Sequence, residues 1–189
     1  MLKRILLAGL LGGIALFIWE GIAHEVLPLG QAGISALPNE AAFMATVKDV
    51  KDSGFYFFPA PEERPGMTSD EKKKAMEVIM QKWKTGPAGI MVLQTHGMDA
   101  DSPKQLITQC LTDIVVMLLA AFLLTRVALP VSYMARVGFV ALLALFPVLH
   151  ADVPYWNWFG FPLVYTCAQF VMRAVGFLIG GLVVAKFVK

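Results

Sequence analysis

The chain has 189 residues, of which 57% are hydrophobic and 16% charged, with a formal net charge of +2. Ordinary soluble domains carry about 25% charged residues, so this composition excludes a simple soluble globule and points to the membrane class. The near-neutral balance offers no basic surface for a nucleic acid, and the placement of the charges is more informative than their sum.

The first apolar stretch runs from about Ile5 to Ala23. It follows Lys3 and Arg4 and reads as a transmembrane anchor. A basic start, an apolar middle and the small residues Gly21 and Ala23 also fit a cleavable signal, but the reading adopted is an uncleaved anchor. Gly9, Gly12 and Gly13 suit a helix that approaches a neighbour closely in lipid. At its end stands "WEGIAHEVLPLG", residues 19–30, with Glu20, His24 and Glu25 close together. Glu20 and His24 are four apart and would share a helical face if the helix continues.

Residues 27–105 hold most of the charges and form the extramembrane domain, between the anchor (1–26) and a three-helix membrane region (106–189). "LPNEAAFMATVKDVKDSG" predicts a helix capped by Asn39, with Phe43, Val47 and Val50 as its apolar stripe. "GFYFFP" predicts a strand ended by Pro59. Thr68 and Glu71 have capping-box spacing at the head of a second helix, whose apolar face is Met76, Ile79, Met80 and Trp83 and whose stop is Gly86. "AGIMVLQT" predicts a second strand. The order α-β-α-β puts a helix between the strands and favours parallel pairing through a crossover. The expected fold is thus mainly α, with four transmembrane helices and a small α/β domain inserted between the first and second.

The remaining spans are expected at about Leu106 to Leu124, Val131 to Leu149 and Phe161 to Ala185. Lys3, Arg4, Arg126, Arg136, Lys186 and Lys189 all fall on one side of a four-span chain, which makes that side cytoplasmic. Both termini then face the cytoplasm of what reads as a bacterial inner membrane, and residues 27–105 face the periplasm or exterior. The loop "HADVPYWNWFGFP" lies on that outer side, where Tyr155, Trp156 and Trp158, together with Trp19, form an interfacial aromatic belt.

Outside the middle domain the acidic residues are Glu20, Glu25, Asp113 and Asp152, all at the outer face or in the outer half of the membrane, as are His24 and His150. Arg173 is the one basic residue outside that domain away from the inner face. An unpaired charge in the bilayer costs at least about 2.5 kcal/mol, so Arg173 needs a partner, and the pair expected is Asp113–Arg173. A ligand site is the competing use of these groups. His24 and His150 on separate helices could hold a haem iron axially, and Glu20, His24, His150 and Asp152 could hold a transition metal. The sequence lacks the second His of HExxH, and it has no phosphate-binding loop, hydrolase site, redox CxxC or haem CxxCH. The leading expectation is therefore a membrane accessory or structural subunit without a catalytic site, contacting lipids and other membrane-protein subunits, with no cofactor and no nucleic acid. A haem- or metal-binding membrane protein is the alternative.

Overall fold

A computed structural model of the chain describes residues 1–62, 64–99, 102–127 and 132–189. The chain folds as two compact units, one made of residues 1–35 and 99–189, the other of 36–98. Four helices of the first unit are long and apolar enough to cross a membrane: Leu2–Val26, Pro103–Leu124, Tyr133–Phe159 and Leu163–Phe187. The expected start of the third at Val131 lies outside the described residues.

Helix α1 (Leu2–Gly21) ends in a π-turn over Ile22–Val26 and packs against both α4 (Pro103–Leu124) and α8 (Leu163–Phe187). Glycine makes this possible. A Cβ on Gly9 would lie 2.7 Å from the Leu118 Cα, and one on Gly13 would lie 2.6 Å from the Ile114 backbone nitrogen. Gly9 and Gly13 are one turn apart, so together they let the α1 backbone sit directly on α4. Toward α8, Gly12 faces Val184, while Gly176 and Gly180 of α8 receive Leu16 and Met117. Small residues make up much of the interior: Ala8, Ala120, Ala121 and Ala185 are buried beside Leu16, Met117 and Val184, whereas Leu7, Leu10, Leu111, Leu119 and Leu178 point outward. An interior so rich in small side chains, with many large apolar ones outside, suits helices solvated by acyl chains, where close packing rather than apolar burial drives association.

The third long helix is a composite. It comprises α5 (Tyr133–Leu142), a short α6 (Leu145–Pro147), a π-turn over Val148–Asp152 and α7 (Val153–Phe159). Pro147 has no N–H to donate to the preceding turn, which accounts for the break in regular α geometry there. Residues 153–159, expected as loop, are therefore helical. That helix stops at Gly160, whose φ of +71° favours glycine, and α8 begins just after Pro162. Tyr133 donates from its hydroxyl to the Leu182 carbonyl at 2.7 Å, and the Arg136 Nε donates to the Ala185 carbonyl at 3.3 Å, tying the start of α5 to the end of α8.

In the second unit, α2 (Glu40–Val47) starts after Asn39 as expected, but Asn39 adopts a left-handed conformation with φ 55° and its side chain makes no cap bond. The helix ends before Val50, so the expected stripe shortens to Phe43 and Val47. The Thr68–Glu71 capping box of α3 (Ser69–Thr85) is present, with the Thr68 N–H donating to Glu71 Oε2 at 2.7 Å and the Glu71 N–H to Thr68 Oγ1 at 3.3 Å. The bond from the Thr68 backbone, and then that from its hydroxyl, hold the Glu71 carboxyl below its ordinary pKa.

Strands β1 (Gly54–Phe58) and β2 (Gly89–Leu93) pair antiparallel, with Gly54 opposite Leu93 and Phe58 opposite Gly89. This corrects the expected parallel pairing. The 17 residues of α3, about 25 Å of helix, end beside the finish of β1. There the Trp83 indole donates to the Pro59 carbonyl at 2.8 Å and stacks edge-on against Phe57. Strand β2 therefore begins where β1 stopped. At the opposite end of the pair, the Thr95 N–H donates to Ser53 Oγ at 2.9 Å.

Gly13→Ala should destabilise the helical unit by about 1–3 kcal/mol, the usual range for overpacking. Gly138→Ala, where an added Cβ meets nothing within 4 Å, should be neutral or slightly stabilising. Unfolding of both variants in mild detergent, titrated with a denaturing one, measures the difference; equal behaviour would contradict the close approach of α1 and α4.

Candidate functional site

The antiparallel packing brings polar side chains from all four long helices to the end of the bundle opposite the two chain termini. Helix α4 contributes Gln109, one turn before Asp113. The Gln109 amide nitrogen has two hydrogens, and it donates to Glu20 Oε2 and to Asp113 Oδ1, each at 2.9 Å. One amide thus joins two carboxylates, one from α1 and one from α4. Asp113 is 3% exposed, and its second oxygen has no hydrogen-bond partner among the described residues. Thr108 and Thr112 turn their hydroxyls back onto their own helix, to Lys104 and Thr108 carbonyls, and add nothing to the cluster.

Arg173 finds Asp152. Its Nε donates to Asp152 Oδ2 at 2.7 Å and its Nη2 to Asp152 Oδ1 at 3.0 Å, a bidentate pair. The Asp152 side chain is 4% exposed and that of Arg173 36%. The expected Asp113–Arg173 pair is thereby corrected. The π-turn over Val148–Asp152 carries Asp152 inward and leaves His150 exposed, so the carboxylate offered to Arg173 comes from the composite helix and not from α4. The signal available in the sequence was the turn at Gly160, because a tight connection there folds the residues preceding it alongside those of α8.

Trp19 also departs from expectation. Its indole N–H donates to the Met172 carbonyl of α8 at 2.9 Å and the ring is half-buried, so it packs inside the bundle and not in a surface belt. Tyr155, Trp156 and Trp158 are exposed, and Tyr155 stacks on Phe161, which in turn packs against Tyr165.

The two histidines stand outside this network. His24 is exposed in the π-turn that ends α1, with its ring laid against Gly30, and Glu25 beside it is exposed as well. Among the described residues no three His, Cys, Asp or Glu side chains come together as a group able to hold a metal ion. Glu20, His24, His150 and Asp152 are thus not gathered into one ligand set. Cys110 and Cys167 are both free thiols. Chemically, the arrangement is a polar layer that ties helices together: α1 to α4 through Gln109, α1 to α8 through Trp19, and the composite helix to α8 through Asp152 and Arg173.

Because the remaining member of a broken pair is left uncompensated, Asp152→Asn and Arg173→Met should each destabilise the bundle by about 3 kcal/mol. Their double variant should lose at least about 1 kcal/mol less than the sum, whereas Asp113→Asn with Arg173→Met should be closer to additive. Coupling of Arg173 to Asp113 in place of Asp152 would contradict the pairing.

Comparison of the chain with protein-family models, with curated proteins and with solved structures gave no match.

Proposed function

We propose that the chain is an integral membrane protein of four spans that works as a non-catalytic accessory or structural subunit through protein–protein and lipid contacts. In this reading both termini lie in the cytoplasm of a bacterial inner membrane, and residues 36–98 face the periplasm or exterior. The gathering of Arg4, Arg126, Arg136, Lys186 and Lys189 near the ends of helices that point one way supports that orientation.

The observation that carries the subunit role is how little the second unit buries. Among its described hydrophobic residues only Val47 and Ile79 are buried. Helix α3 reaches the sheet at Phe57 through Trp83. Phe55 and Val92, which stand directly opposite each other across the strands, are 63% and 67% exposed. Side chains alternate along a strand, so Phe55 and Phe57 share a face, and α3 covers only one end of it. A cross-strand aromatic–aliphatic pair left open on so small a unit fits a surface that another protein covers. The polar layer supports the same reading, since its donors are largely spent on joining helices.

Isolated from its native membrane in mild detergent, the chain should arrive with a fixed partner in constant ratio. Phe55→Ser with Val92→Ser should release that partner while the chain stays folded. A monodisperse lone monomer, or full retention of the partner by the double variant, would contradict the role.

A further inference from the structure

The second carboxylate oxygen of Asp113 is the one buried side-chain nitrogen or oxygen among the described residues that has no hydrogen-bond partner. It belongs to a pair of carboxylates. Asp113 Oδ1 and Glu20 Oε2 both accept from the Gln109 amide at 2.9 Å, so two like charges share one neutral donor. The charge that acts on Asp113 is that of Glu20, of its own sign. Glu20 in turn feels His24, exposed beyond the end of α1, and Arg173 of α8, whose fork is already engaged by Asp152 of the composite helix. His150, on that same helix, is exposed. Among the described residues, neither Glu20 nor Asp113 lies within ion-pair distance of a basic side chain.

We propose that Glu20 and Asp113 together bind one small monovalent cation, a proton or an alkali metal ion, at the Asp113 oxygen that no protein group engages. A buried charge without a partner is costly, and two of like sign close together are more so. A water molecule at this oxygen supplies a hydrogen bond and leaves both charges uncompensated, whereas a cation answers both needs. The oxygen is fully buried, so the cation is a small one. Divalent and transition metal ions take more ligands than two carboxylates, and among the described residues no third His, Cys, Asp or Glu joins these two. Access is from the start of α4, where Gln109 also lines a cavity of about 440 Å³ with Asp99, Ser102, Lys104 and Thr108. Its polar walls carry water and small ions as far as the amide. Because Glu20 belongs to α1 and Asp113 to α4, a bound cation draws the two helices together, and its release leaves them repelling one another. The inference uses the packing of α1 on α4 and not the partner proposed above, so either can fail alone.

The test uses the full chain in mild detergent at neutral pH, with two readouts. Thermal unfolding is followed in sodium, potassium and choline chloride at equal ionic strength, choline being too large for the site. The infrared spectrum is recorded for the carbonyl stretch of a protonated carboxyl group. A midpoint that rises saturably in sodium or potassium over choline assigns the site to an alkali metal ion. A protonated-carboxyl band, with the three salts equivalent, assigns it to a proton. Asp113→Asn should abolish whichever response is seen, and the chain should stay folded, because asparagine keeps an oxygen for the Gln109 amide. Glu20→Gln carries the same test should that variant fail to fold. Glu25→Gln, at an exposed position, should leave the response unchanged. Equal midpoints in the three salts together with no protonated-carboxyl band would overturn the proposal. So would a response that survives both Asp113→Asn and Glu20→Gln.

Discussion

The contact on which the rest of the helical unit depends is that of the α1 backbone with α4. Gly9 and Gly13 remove the side chains that would hold the two helices apart, and Leu118 and Ile114 occupy the space. With α1 seated there, its opposite side meets Gly176 and Gly180 of α8, so one helix organises two neighbours. The same seating carries the polar end of α1 up to its partners. Glu20 arrives beside Gln109, and Trp19 beside the Met172 carbonyl. An interior rich in alanine and glycine leaves many large aliphatic side chains outward, an arrangement unfavourable in water and suited to lipid.

The polar layer follows from that geometry and gives the bundle its register. Packing of small residues is permissive about sliding, since one alanine resembles the next. A bidentate Arg–carboxylate pair is not, because both bonds survive only at one height and rotation. Arg173 and Asp152 supply that constraint between α8 and the composite helix, and the Gln109 amide supplies a weaker one between α1 and α4. The two chemistries sit at opposite ends of the unit. Carboxylates and their partners gather at one end; arginine and lysine around an apolar-walled cavity gather at the other.

Much of this was legible in the sequence where the cause is local. The four long apolar helices, both short strands, the capping box at Thr68 and the close-packing role of Gly9, Gly12 and Gly13 follow from residues within a few positions of one another. What was not legible depends on distant geometry. The sign of the strand pairing turned on where α3 ends relative to β1, which no periodicity encodes. The partner of Arg173 turned on a π-turn after Pro147, and a single extra residue in a helical turn re-aims every side chain beyond it. Trp19 illustrates the same limit. An indole at a helix end suits the interface by type, but glycine at 176 on the neighbouring helix opens a place for it inside.

The proposed role requires four helices that cross a membrane with both chain ends on one side. Single cysteines in a background lacking Cys110 and Cys167 test this directly, read with a membrane-impermeant thiol reagent on intact cells. Lys73→Cys and Trp158→Cys should label from outside, and Lys3→Cys only after the membrane is permeabilised. Labelling of Lys3→Cys in intact cells, or a difference in sidedness between Lys73→Cys and Trp158→Cys, would contradict the four-span arrangement.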